Sequence, residues 1–217
     1  MNADALLEGV REATATELSR LGSSKALYAD TGGDLDAETV FRAAETAERA
    51  AAETFEAWAD AEANETAAAA YRETAAEERE HAERVREELD GDAAGEAAGA
   101  SDEEGVPALA AHLRGLDDTV ARAGGFLGRV LVADESKSQY VGYFVGDADP
   151  QSAAVFRDLR GDLEGQRERA LDLLDAVCET EADWERAEAA AVEAVEAAYE
   201  AHVEALESLG VDPKPVC

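Results

Sequence analysis

Residues 73–85 read ETAAEEREHAERV. Strong helix formers fill the stretch, and its Glu and Arg side chains suit a solvated helical surface. Yet its small and apolar residues recur at alternating steps of three and four. Extended to both sides, they trace one stripe through Tyr71, Ala75, Glu78, Ala82, Val85 and Leu89. Glu78 therefore interrupts a core-facing stripe, and His81 follows one turn later on its flank.

The same pattern recurs in two other segments. A helix expected over about 36–62 carries the stripe Phe41, Ala44, Glu48, Ala51, Phe55, Trp58, interrupted by Glu48. One expected over about 180–209 carries Ala191, Val195, Tyr199, His202, Leu206, Leu209, interrupted by His202. An interior carboxylate is costly unless it is protonated, paired or bound to a metal. Glu48 and Glu78 on consecutive helices, with His81 one turn along, point to a shared cation. Imidazole with carboxylate suits iron, manganese or zinc better than calcium or magnesium. Ordinary readings stand beside this one: a surface Glu78/His81 pair, a Glu48 paired with Arg49 or Arg84, and a core His202 bonded to Tyr71 or to a backbone carbonyl.

ETAAEEREHAERV resembles the second bundle helix of the rubrerythrin branch of the ferritin-like superfamily, with its Glu-Thr-Ala opening and Glu-x-x-His-Ala core. AERAAAETFEAWA (47–59) is similar to that family's first bundle helix, where Glu48, Phe55 and Trp58 match the spacing. The resemblance implies a four-helix bundle in which one Glu from each of two helices and a Glu-x-x-His from each of the others hold two metals. Carried over residue by residue, it makes Glu48, Glu78, His81 and His202 the expected metal ligands and iron the expected cofactor. Peroxide defence or iron handling is the expected function. The second half departs from the pattern: Leu163 and Tyr199 stand where carboxylates belong, and the family's rubredoxin-like CxxC tail is missing. A non-catalytic helical scaffold is the competing expectation.

The whole chain agrees with a helical fold. Gly and Pro cluster at a few breaks, which predicts six helices over about 3–29, 36–62, 64–90, 108–145, 150–177 and 180–209. The fourth is expected to kink at Gly124-Gly125, and a Gly-rich acidic linker is expected over 91–107. SKALYADTGGDLDAETVFRAAE (24–45) resembles SKSQYVGYFVGDADPQSAAVFRDLR (136–160), and HAERVREEL (81–89) resembles HVEALESL (202–209). These collinear matches predict two three-helix units, 1–90 and 108–217. Together they would form one all-α, ferritin-like four-helix bundle with two additional helices. Helices two, three, five and six would be its core.

With 19 basic and 51 acidic residues, the formal charge is −32. That repels nucleic acid phosphate and anionic lipid, so neither is an expected partner. Only three lysines stand against sixteen arginines, and with so many carboxylates this predicts a protein of a salt-rich cytoplasm, that of an extreme halophile. In a chain so poor in lysine, the Lys25/Tyr28 and Lys137/Tyr140 pairs are expected to stabilise helix packing, with internal ion pairs or a subunit contact as the alternatives. The start MNADALLEGVREA lacks the features of a signal peptide. No apolar run reaches a membrane span; the best, GGFLGRVLVA (124–133), carries Arg129. Two cysteines without a CxxC pair make neither a disulfide framework nor a zinc ribbon. The partners expected are a metal ion and a second copy of the chain.

Overall fold

The computed structural model describes residues 1–89 and 106–213. Most of the predicted linker, and Cys217, lie outside the described residues. Among the described residues the chain forms nine helices and no strand: α1 (Ala3–Ala13), α2 (Ala15–Leu21), α3 (Ser24–Asp30), α4 (Ala37–Ala61), α5 (Glu65–Glu87), α6 (Ala108–Arg114), α7 (Thr119–Gly146), α8 (Pro150–Val177) and α9 (Glu181–Ser208).

The long helices begin where the sequence supplies a side-chain acceptor for otherwise orphaned backbone N–H groups. Asp36 caps α4, Asn64 caps α5, Asp118 caps α7 and Asp149 caps α8, with Pro150 opening the first turn. Thr180 and Asp183 form a reciprocal capping box at α9. Gly210 follows α9 at φ +72°, a left-handed backbone that a glycine adopts without a Cβ penalty.

Two predicted helices are broken further. The expected 3–29 helix is three short ones: Thr14 leaves the helical region and its hydroxyl bonds Val10 O at 2.7 Å, and a second break falls at Gly22-Ser23. The expected 108–145 helix divides at residues 115–118, where Asp118 starts α7. The helix runs unbroken through Gly124-Gly125. Instead, a Cβ at Gly124 would lie 2.1 Å from Ala187 O, and one at Gly128 would lie 2.5 Å from Ala191 O. The glycines let the backbones of α7 and α9 touch.

This close approach changes the bundle. α4 and α5 form one hairpin, α7 and α8 another, and α5 packs along α8 while α4 meets α7. These four helices surround a common interior. α9 packs on the outer side of α7, buttressed by α1, α2, α3 and α6, and not along α8 as α5 packs along α4. The place expected for the sixth sequence helix is thus taken by α7, and the two halves are not packed alike.

Within the four-helix ring the interior is layered. Phe55, Trp58, Tyr71 and Phe126 form an aromatic cluster at one level. Phe41, Tyr140, Phe144 and Phe156 form another further along. Between them lies a buried polar layer holding Glu48, Glu78, His81, Arg129, Lys137 and Gln166. No described helix is long and apolar enough to cross a membrane.

Candidate metal centre

Each of the four ring helices contributes to the polar layer. α4 brings Glu48 inward, 2 % exposed, and α5 brings Glu78 and His81, 0 % and 2 % exposed. They face inward because each falls on or beside the apolar stripe of its helix. His81 is buried outright rather than left on a flank. α7 adds Arg129 and Lys137, and α8 adds Gln166.

Glu78 is held on both oxygens. Arg129 Nη1 and Nη2 donate to Oε1 and Oε2 at 2.7 Å each, the two-pronged geometry that guanidinium and carboxylate favour. Gln166 Nε2 donates to Oε1 at 2.6 Å, while its own oxygen accepts from Arg129 at 2.9 Å. Burial pushes the Glu78 carboxyl up, but the Arg129 charge, together with the neighbouring Glu48, His81 and Lys137, outweighs it and holds the group well below the usual range. Glu48 is paired across the interior with Lys137, whose Nζ donates to Oε1 at 2.5 Å.

One side of this network is left open. Glu48 Oε2 and His81 Nδ1 are both buried and have no hydrogen-bond partner. They face each other at 3.6 Å, and Glu78 Oε2 lies 3.8 Å from the same nitrogen. These separations are too long for hydrogen bonds. A metal bound at about 2.1 Å holds neighbouring ligand atoms about 3.0–3.5 Å apart, so the two separations from His81 Nδ1 are within a few tenths of an ångström of that, and all three ligand atoms lie within 4.8 Å of one another. On the other ring edge, His81 Nε2 donates to Asp162 Oδ2 at 3.2 Å. A carboxylate can only accept, so that bond aims Nδ1 at the two glutamates, as outer carboxylates do for metal-bound histidines. Burial alone would push the imidazole down; the facing Glu48 and Glu78 carboxylates prevail and raise it to about 9.

The expected ligands are therefore only partly brought together. Glu48, Glu78 and His81 form a group whose ligand atoms lie within 4.8 Å of one another, and His202 is not a member. It is buried on α9, outside the ring, because α9 packs behind α7. Its Nδ1 has no partner, so it is bonded neither to Tyr71 nor to a backbone carbonyl there. The pairing suggested for Glu48 is also different: Arg49 reaches Glu45 and Glu53, and Arg84 reaches Asp158 and Asp162.

Arg129, Gln166 and Asp162 were not singled out as site residues from the sequence, and Lys137 only as one of two lysine–tyrosine pairs. Two signals pointed toward them. Arg129 is the one charge in the apolar run 124–133, and Lys137 is one of only three lysines. Lys137 forms an internal ion pair, one of the alternatives to a helix-packing role. Lys25 instead donates to Asp212 O at 2.7 Å near the surface.

The donor set fits one borderline first-row ion: two carboxylates and an oriented imidazole. It does not fit two. The remaining space beside Glu48 and Glu78 is filled by the chain's own cations. No protein-family model, curated protein or solved structure matches this chain.

Proposed function

We propose that this protein is a ferritin-like helical bundle of a salt-rich cytoplasm that binds one divalent metal ion, iron first, through Glu48, Glu78 and His81. The observation that carries this reading is the open trio: Glu48 Oε2 and His81 Nδ1 buried without hydrogen-bond partners, with Glu78 Oε2 beside them. Isolated buried polar atoms are costly, and a shared cation removes the cost at both at once. Bound iron would supply redox-active or storable metal, in keeping with oxidative-stress or iron handling. The chain's residues then have distinct tasks. Glu48 and Glu78 provide charge, His81 provides nitrogen once its proton has left, and Asp162 orients His81. Arg129 and Lys137 limit the site to a single ion, so the two-iron peroxide chemistry implied by the rubrerythrin resemblance is not part of this proposal.

A second reading has an observation of its own. Arg129 and Lys137 already neutralise Glu78 and Glu48, which suits a scaffold that keeps the polar layer without metal. The two are separated by elemental analysis of protein purified in molar salt without chelator, followed by anaerobic Fe(II) titration calorimetry on wild type and His81→Gln. One equivalent bound by wild type and lost in the variant supports the metal site. No copurified metal and no heat in wild type leaves the scaffold.

A further inference from the structure

A cavity of about 680 Å³ lies among α3, α4, α6, α7 and α9, and Glu48 of the polar layer is among its lining residues. Its size falls in the range of small-molecule sites. The walls are largely methyl groups: Ala47 and Ala51 from α4, Ala133 from α7, Ala201 and Ala205 from α9. Three cationic side chains, Arg42, Arg129 and Lys137, reach its lining, and each is already paired with a glutamate. They leave no charge for an incoming anion, which the −32 net charge of the chain also repels.

Asp30 is different. It ends α3, lines the cavity, and has no hydrogen-bond or ion-pair partner among the described residues. Much of its surface is open, yet protein surrounds it on the scale of an ion's hydration, and burial pushes its carboxyl up to about 7. His202 lines the same cavity with its Nδ1 unpartnered. Burial, with the nearby Arg20 and Lys25 charges, pushes this imidazole down, so it stays neutral and can hydrogen-bond a polar group.

We propose that this cavity binds an organic amine, its ammonium paired with Asp30 and its apolar body laid against the alanine walls. A cation there supplies the counter-charge that Asp30 lacks, whereas a neutral ligand of the same shape would bury the carboxylate further without compensation. Glu48 lines the same cavity, but the proposed contacts, Asp30 and the alanine walls, are not metal ligands.

Dansylcadaverine, a primary amine, and dansylglycine, a carboxylate on the same fluorophore, test this with the full chain in molar salt. The amine should bind saturably with a blue shift, about tenfold or more tighter than the acid, the scale of one buried charge-assisted contact. Asp30→Asn should lose about that factor for the amine alone. Ala201→Phe and, separately, Ala47→Phe should abolish binding by filling the cavity, with folding of each variant checked by circular dichroism. Absence of saturable amine binding, equal binding of the two dyes, unchanged amine affinity in Asp30→Asn, or full binding in both folded Phe variants would overturn the proposal.

Discussion

Lys137 Nζ lies 2.5 Å from Glu48 Oε1, and both side chains are closed off from solvent, 2 % and 3 % exposed. Neither charge can recover hydration if its partner is lost. Lys137→Met should therefore destabilise the metal-free protein by about 3–5 kcal/mol, the ordinary cost of stranding a buried charge. Adding Glu48→Leu should restore most of it, because a well-packed apolar pair often equals a buried ion pair. Denaturant unfolding in molar salt reads both; a lone Lys137→Met change under about 1 kcal/mol would contradict the pairing.

The pH dependence of the metal-free protein follows from two opposite shifts. His81 is raised from 6.5 to about 9. Its contribution is fully present below about 6.5 and is lost as pH rises through about 9, on the order of 3 kcal/mol in all. His81→Gln should flatten that alkaline limb. Glu78 is depressed, so its contribution is present above the ordinary carboxylate range and is lost as pH falls through its lower folded value. Unfolding curves taken across pH, with chelator present, check both limbs.

Gly124 is the tightest point between α7 and α9. Gly124→Ala would drive a Cβ into Ala187 O, a backbone atom with no rotamer to move. A loss of about 2 kcal/mol or more is expected, from strain of the overpacking kind. Gly142→Ala lies on the same helix, where nothing stands within 4 Å of the added Cβ. It should be neutral or gain about 0.5–1 kcal/mol from helix propensity. Equal effects from the two substitutions would show that the α7–α9 contact is looser than drawn.

Screening should decide whether the chain folds at all in dilute buffer. With a net charge of −32, helical circular dichroism is expected in molar salt and largely lost near about 50 mM, where repulsion reaches several times farther. Retained helicity there would remove the argument for a salt-rich cytoplasm.

The helical class and the long helices were legible in the sequence because caps and periodic stripes are local signals. Segment 150–177 is predicted with the same bounds as α8. The inward placement of Glu48 and Glu78 followed from the same stripes. The partner helices did not. Gly124-Gly125 reads as a kink when its chain neighbours are considered alone, and only the backbone of α9 reveals it as a contact surface. That one contact exchanges α7 for α9 in the ring and removes His202 from the candidate ligands. Arg129 and Lys137 were similarly hidden: their oddity was visible, but their partners lie 51 and 89 residues away in the chain.

The charged layer between the two aromatic clusters also acts as an alignment key. All four ring helices meet at one level there, through Glu48, Glu78, Arg129 and Gln166. Sliding any helix by one turn, about 5.4 Å, would shift the rings of the two aromatic clusters, which apolar neighbours can partly repack. It would also tear ionic partners apart in a medium with no water to receive them. The charged stratum therefore penalises a wrong alignment more sharply than the apolar layers on either side of it.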